Sequence, residues 1–364
     1  MSLPKTAIIY LCWADEPKKY LGAALDAIAG QTYPKEGTMV VVVYNGPRSG
    51  EESQLDYIRN EINDKRHRLP DTVVLEPGGN VGFSAGNNFG ARYAVEHGAD
   101  YIFLHNADGF LKNTAIAELV RVMESDKNIG ECQPLILLYP ERHLINSAGN
   151  EFHYLGIGFC ASYRDAVKDV YPVFSEIGYV SGAAAFMRAD LLKQFGYWSD
   201  RFFLYHEDTE YSQRLKVRGY KIGMAGQAVF YHQYEFSNKP NKFFWIERNR
   251  HALKLLFYKW PTLILLLPLE IVYNVGLLFL SAVNGWFPEL IKVYGYWLKP
   301  KNWRGWLADR KILQKQRIVS DRQMIFRAAV GVGTGDLRLP AIIRVSVNFI
   351  FTIYWYLLKI LIWW

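Results

Sequence analysis

In the first two thirds of the chain, short apolar runs alternate with helical patterns, and this alternation leaves few architectures open. Residues 7–12 and the valine-rich run 39–44 read as buried strands, as do 72–75 and 101–105. Between them, residues 20–29, 51–62 and 83–97 carry amphipathic helical patterns, and a helix over 114–124 follows with Asn113 as its cap. Strands separated by helices require right-handed crossovers, and hence a mostly parallel sheet covered on both faces. On such a sheet, ligands bind beyond the carboxyl ends of the strands. Residues 133–180 are less regular. A strand over 183–188, a short helix over 189–195, a helix over 209–218 and short strands near 221–224 and 229–231 complete this region. No internal repeat or low-complexity tract interrupts it.

With 364 residues, half of them apolar and 15% aromatic, the chain can bury a full enzyme domain and carry an appendage. The three cysteines, Cys12, Cys132 and Cys160, are too scattered for a disulfide framework or a zinc site, which fits a reducing compartment. Residues 1–6 hold no apolar signal segment, so secretion is not expected. The net charge of +7 is modest, and no nucleic-acid partner is expected.

The character changes near residue 241. Residues 243–259 mix basic and aromatic side chains on a helical pattern. Residues 262–283 are strongly apolar, interrupted by Pro268, Glu270 and Asn274, and 342–364 form a second apolar stretch. Each is about long enough to cross a bilayer. Between them lie Lys292, Lys299, Lys301, Arg304, Arg310, Lys311, Lys315, Arg317, Arg322, Arg327 and Arg338, a basic set that belongs on the cytoplasmic side. A single crossing at 262–283 would separate this segment from the N-terminal domain. A re-entrant hairpin kinked at Pro268, or an interfacial helix, keeps both on one face. The expectation is a monotopic protein on the inner leaflet, at the cytoplasmic face, with tryptophans near 295–306 as interfacial anchors. The bland alternative is a helical pair buried in a soluble core or a dimer interface.

Four segments carry chemistry. YNGP at 44–47 follows the valine strand, GGNVGFSAGNN at 78–88 follows the third strand, and HNADG at 105–109 follows the fourth. FFLYHEDTEY at 202–211 packs acids into the first turn of a helix directly after an aromatic run. Each has a plain structural explanation. Glycines make turns, Asn106 and Asp108 are turn formers, and acids offset a helix dipole while Glu210 pairs with Arg214 one turn on. The glycine spacing does not match a dinucleotide fingerprint, which disfavours a nicotinamide-dependent oxidoreductase. An acid beyond a central strand can, however, hold Mg²⁺ or Mn²⁺ together with phosphate oxygens. A carboxylate at the rim of a water-poor pocket can take a proton.

Taken in order, these segments, with SGAAAFMR at 181–188 and the continuation SQRLKVRGY, resemble the family 2 glycosyltransferases over about residues 6–250, and most closely their rhamnosyltransferase-type branch in surface-polysaccharide assembly. The resemblance implies a GT-A fold of α/β class: a nucleotide-sugar-binding domain over residues 1–240, with C-terminal membrane-associated helices over 241–364. It implies an inverting transfer from a nucleotide-sugar donor to a lipid-linked or oligosaccharide acceptor, assisted by a divalent cation. Asp108 matches the cation-binding acid, and His232 a histidine that approaches the metal or diphosphate. Asn106, Asn80 and Gly82 match positions near the donor. Arg248, followed by Asn249, matches an R-N pair, and Trp13 matches an aromatic placed against the nucleobase. Asp208 matches the acid taken as catalytic base, with Glu207 beside it. Relatives carry Asp-Asn-Gly-Ser where this chain has Tyr44, Asn45, Gly46 and Pro47, so Tyr44 stands where an acid contacts the base. That departure motivates an alternative, a catalytically silent binding or assembly subunit on the same fold. The retained acids Asp108 and Asp208 argue against it. The enzymatic expectation is that Asp108 and Asp208 meet over one cleft. Donor sugar, linkage and oligomeric state stay open.

Overall fold

A computed structural model describes residues 3–47, 49–234, 240–332 and 341–364; Ser237 and Arg338 lie outside them. The chain divides into two compact units. One comprises Met1–Asn150, Cys160–Phe203 and Lys221–Glu235; the other comprises Glu151–Phe159, Leu204–Tyr220 and Phe236–Trp364.

The first unit begins with the expected alternation: β1 (Thr6–Cys12), α1 (Gly22–Ala29), β2 (Thr38–Tyr44), α2 (Leu55–Lys65), β3 (Asp71–Leu75), α3 (Phe83–Glu96) and β4 (Tyr101–Asn106). It continues through β5 (Gly109–Leu111), α4 (Ala115–Ser125), β6 (Ile129–Leu138) and β7 (Ile145–Ser147). After the β8 (Asn150–Phe152) and β9 (Gly158–Cys160) pair come β10 (Ser175–Glu176), β11 (Ala184–Arg188) and α5 (Ala189–Phe195). The main sheet runs β10-β12-β6-β11-β4-β1-β2-β3, where β12 is Lys221–His232. β1, β2, β3 and β4 pair in parallel, as do β6 and β12, while β11 enters antiparallel between β4 and β6. β1 and β2 are buried on both faces, so they read as continuous apolar runs rather than alternating ones.

Two departures from the sequence reading have physical causes. β6, ten buried residues, falls across a region read as irregular, because Glu131, Gln133 and Pro134 argue against a central strand. Gln133 is satisfied internally: its Oε1 accepts from the Ser181 amide at 2.8 Å. Pro134 sits opposite Ala225, where the β12 register slips before Val229, so its missing N–H falls at an irregularity in the ladder. The same slip explains why β12 reads as two short strands.

The second unit holds α6 (Glu207–Lys216), α7 (Pro240–Phe257), α8 (Trp260–Val283), α9 (Phe287–Trp297), α10 (Pro300–Gln316), α11 (Asp321–Arg327) and α12 (Ala341–Leu361). No hairpin forms at Pro268: α8 runs through it for 24 residues, about 36 Å. Glu270 within α8 is met by Arg250 and Lys254 of α7, and Arg250 is also held by Glu247. Only 17% of the most apolar window of α8 is buried, and 11% of that of α12. Ile264, Leu267, Ile271, Val275, Phe279 and Val283 form an exposed stripe, while Thr262, Leu266, Leu269, Leu277 and Ser281 face inward. Both helices are long and apolar enough to cross a membrane.

Two members of the expected basic set serve the fold instead. Arg310 donates to the carbonyls of Leu255 and Tyr258, and Arg317 to that of Phe257 at 2.8 Å; Gln314 donates to Leu256 at 2.7 Å. These three side chains of the α10 region close the carboxyl end of α7, whose last carbonyls have no intrahelical partners. Trp306 is likewise no interfacial anchor: it is buried, and its Nε1 donates to the Tyr296 hydroxyl at 2.9 Å.

Candidate active site

The loops after β2 and β3 are tied together by asparagines. The Asn45 side chain, just past β2, donates to the Asn80 Oδ1 and the Gly82 carbonyl, both at 3.2 Å, and accepts from the Val81 amide at 3.0 Å. Asn80 Oδ1 also accepts from the Gly82 amide at 3.0 Å. Asn45, Asn80 and Gly82 therefore form one hydrogen-bonded unit that shapes the glycine loop. Gly82 has φ 90°, and a Cβ there would meet the Phe203 ring at 2.9 Å, so no other residue fits. Further along α3, Asn88 donates to the Trp198 carbonyl and to Asp200, both at 2.8 Å, which makes it a brace for the loop after α5.

Tyr44 is buried. Its hydroxyl accepts from the Gln54 amide at 3.1 Å and lies 3.5 Å from the Ala14 carbonyl. It braces the loop after β1 from beneath. Trp13, in that loop, is half-buried, and its amide donates to Glu16 at 2.9 Å. Glu16 is a feature the sequence reading passed over. Burial pushes its carboxyl up to about 7, reinforced by the charge of Asp108, although the Trp13 amide opposes the shift. No spacing signal in the sequence marks it.

Asp108 lies in the turn between β4 and β5, and β5 pairs antiparallel with β12 so that Gly109 faces His232. This register brings His232 Nε2 to 3.0 Å from Asp108 Oδ1, with Asn106 Nδ2 at 2.6 Å from the same oxygen and 3.2 Å from His232. Gly109 is dictated by space, since a Cβ would collide with the Phe230 ring at 1.9 Å. The other imidazole nitrogen, Nδ1, donates to Asn146 Oδ1 at 2.9 Å. With Nδ1 held by Asn146, Nε2 is directed at the Asp108 carboxylate. It is the orientation an outer partner imposes on a metal-binding histidine. One carboxylate and one imidazole are ligands that Mg²⁺ or Mn²⁺ takes together with phosphate oxygens and water. The donor set therefore fits the cation that the resemblance implies, although no group of three or more His, Cys, Asp or Glu gathers among the described residues. His105, by contrast, is a core residue: fully buried among Tyr10, Phe103 and Phe230, with burial lowering its pKa to about 4.

In the second unit, Glu207 and Asp208 open α6 behind a backbone run of left-handed residues, Phe203 at φ 59°, Tyr205 at 64° and His206 at 66°. Each such non-glycine residue costs on the order of 1 kcal/mol, strain that concentrates at functional segments. The two acids then diverge. Glu207 is buried, and its Oε2 has no hydrogen-bond partner. Burial, then the charge of Asp208, raises its pKa well above the ordinary carboxylate value and favours its protonated form. Asp208 is half-buried, and its Oδ1 accepts from the Thr209 amide at 2.6 Å and hydroxyl at 3.2 Å. Glu210 follows its plain structural reading, in a buried ion pair with Arg214.

Arg248, expected near the donor, is buried on α7. Its guanidinium lies over the rings of Trp245 at 4.5 Å, Tyr296 at 5.4 Å and Trp306 at 5.7 Å, and donates to Asn249 Oδ1. Asn249 in turn donates to the carbonyls of Leu204 at 3.0 Å and Tyr205 at 2.7 Å.

The family model described as Glycosyl transferase family group 2 matches residues 101–364, and the chain belongs to that family. The low-salt glycan biosynthesis hexosyltransferase Agl10 of Haloferax volcanii is 26% identical over 159 residues, 43% of this chain. The chain spans half the length of that relative. Among solved structures, GalNAc-T7 with UDP, GalNAc and Mn²⁺ aligns at TM-score 0.54 and 14% identity, over 71% of this chain and 50% of that one. S. aureus TarS residues 1–349 with UDP aligns at TM-score 0.47 and 17% identity, over 69% and 65%. The GalNAc-T7 likeness supports the GT-A architecture expected from the sequence.

Proposed function

We propose that this chain is an inverting glycosyltransferase, of hexosyl- or rhamnosyltransferase type, that moves a sugar from a nucleotide-sugar donor to a lipid-linked saccharide acceptor. Residues 1–240 form the catalytic part, and residues 241–364 attach it to the cytoplasmic face of a membrane. The observation that carries the reading is the split between two adjacent acids: Glu207 buried with its pKa raised, Asp208 half-buried at the start of a helix. Environments that separate neighbouring acids in this way mark acid–base assignments. Asp208 takes the proton of the acceptor hydroxyl as that oxygen attacks the anomeric carbon from the side opposite the leaving group. Glu207, uncharged, adds no second negative charge beside it. Asp108 and His232 would hold a divalent cation, which would supply positive charge against the departing diphosphate. Asn45, Asn80 and Gly82 shape the loop against which the donor lies, and Trp13 faces the nucleobase. Membership of Glycosyl transferase family group 2 and the hexosyltransferase relative support the reaction class. The exposed apolar faces of α8 and α12 support an acceptor embedded in lipid.

The test is calorimetric titration of the full chain in detergent with a panel of nucleoside diphosphates and nucleotide sugars, with and without Mn²⁺. Binding to one of them, tightened by the metal, is the expected outcome. Failure to bind any would favour a silent assembly subunit, the reading that the burial of Tyr44 in place of a base-contacting acid would otherwise suggest.

A further inference from the structure

The segment that carries Asp208 is held in an unusual way. Tyr205 and His206 are both left-handed, so the carbonyls of Leu204 and Tyr205 are turned out of any helical or strand ladder. Both carbonyls are received by one side chain, the fully buried Asn249, through its two Nδ2 hydrogens. Its Oδ1 accepts a fork from the Arg248 Nε and Nη2. An amide turned end for end would place its NH₂ against a guanidinium and its oxygen against two carbonyls. Arg248 therefore fixes which way Asn249 points. The Arg248 plane is itself fixed by the rings of Trp245, Tyr296 and Trp306.

We infer that Asn249 and Arg248 are positioning residues for the proton-accepting step: Asn249 clamps the left-handed turn that aims Asp208, and Arg248 locks the clamp from an aromatic cage built partly by α9 and α10. The inference rests on the reading of Asp208 as the base. It gives Arg248 a task beside the donor contact expected from sequence, a fork directed at Asn249. It also gives the aromatic residues of 245–306 a role inside the protein. Because α9 and α10 also expose Phe287, Ile291 and Leu307, the cage joins the base segment to helices with an apolar outer side.

The experiment uses the full chain in detergent, with donor dissociation constant, kcat and the pH profile of kcat measured separately. Asn249→Asp is nearly isosteric and pairs with Arg248, so the fold is kept, but it turns an oxygen toward two carbonyls. The expected result is a fall in kcat of about 100-fold, the order associated with misplacing a reacting group by 1 Å, with donor affinity within about twofold of the parent. The acid limb of the profile should move by about half a pH unit or more, because the surroundings of Asp208 change. Arg248→Lys, which still donates to Oδ1, should retain more turnover than Arg248→Met. A purely structural role would only scale the profile down, with no shift. That result, or an Asn249→Asp enzyme within twofold of the parent, overturns the inference. Asp208→Asn separates this failure from the failure of its premise: normal turnover in Asp208→Asn overturns the base reading, and the clamp with it.

Discussion

The two compact units hold their polar groups by different means. In the first, the candidate site side chains stand at the ends of paired strands, and the ladder places them. His232 reaches Asp108 because β12 and β5 share a register, and Asn45 meets Asn80 because β2 and β3 run side by side. In the second, no ladder reaches the start of α6, and side chains take its place. Asn249 receives the carbonyls of Leu204 and Tyr205, while Arg310, Gln314 and Arg317 receive those at the end of α7. Positions set by backbone pairing resist single substitutions. Positions set by one side chain do not. Damage in the first unit should therefore show as lost ligand binding, and damage in the second as lost turnover.

The largest effect expected breaks or sharpens that division directly. Asp208→Asn should lower kcat by about 100- to 10,000-fold, the range for removing a general base, while calorimetry finds donor binding nearly intact. Asp108→Ala should weaken donor binding and turnover together and abolish any gain from Mn²⁺. If Asp208→Asn instead lost the donor, and Asp108→Ala kept it, the division of labour between the units would be reversed.

A smaller effect concerns the apolar faces. Ile264 and Phe279 on α8 are 68% and 71% exposed. Placing a charge at either, as in Ile264→Glu or Phe279→Glu, touches nothing buried. Flotation with anionic lipid vesicles should show the parent bound and either variant displaced, by about 10-fold or more in partitioning, with nucleotide binding in the first unit unchanged. Equal flotation of parent and variants would remove the membrane role of that face.

The sequence disclosed the two units unequally, for the same reason that they are built differently. Strands buried on both faces leave unbroken runs such as residues 39–44, and motifs at their carboxyl ends can be read in order. That made β1 to β4, α3 and the Asp108 turn legible. β6 was hidden because Gln133 and Pro134 find partners and a bulge that only the folded sheet supplies. Glu210–Arg214 was legible as a one-turn pair. The pairing of Glu270 with Arg250 and Lys254 was not, because side chains 16 and 20 residues away must meet it from another helix. The same holds for Arg310 and Arg317, whose charges count toward a basic segment in sequence but close a helix in space. Trp306 likewise exchanges an outward expectation for an inward contact. Asn249 carried no local signal beyond its place after an arginine, since what it holds is a backbone conformation 44 and 45 residues upstream.

The smallest expected effect is a dependence of stability on pH. Burial lowers the pKa of His105 to about 4 in the first unit. In the second unit it lowers His206 to about 4, His153 to about 3 and His251 well below the ordinary imidazole range. His153 shows why: Nδ1 accepts from the Leu155 amide at 3.1 Å while Nε2 donates to the Val330 carbonyl at 3.0 Å, so a second proton would cost an acceptor. A histidine with a depressed folded pKa is protonated first in the unfolded chain. Its contribution is present above about 6.5, and it fades as the pH falls toward 4, at up to about 1.4 kcal/mol per pH unit for each such group. Glu16 and Glu207, whose folded pKa values are raised, act in the opposite direction: they destabilise the fold as the pH rises from about 4.5, for Glu16 up to its folded value near 7. Three of the four histidines with lowered pKa lie in the second unit, so amide exchange followed from pH 7 to pH 5 should show protection falling faster in α6, α7 and α11 than in β1, β2 and β4. His153→Gln, which keeps one donor and one acceptor, should flatten part of that slope. An equal loss in both units would show that side-chain pinning in the second unit is no more fragile than the ladder in the first.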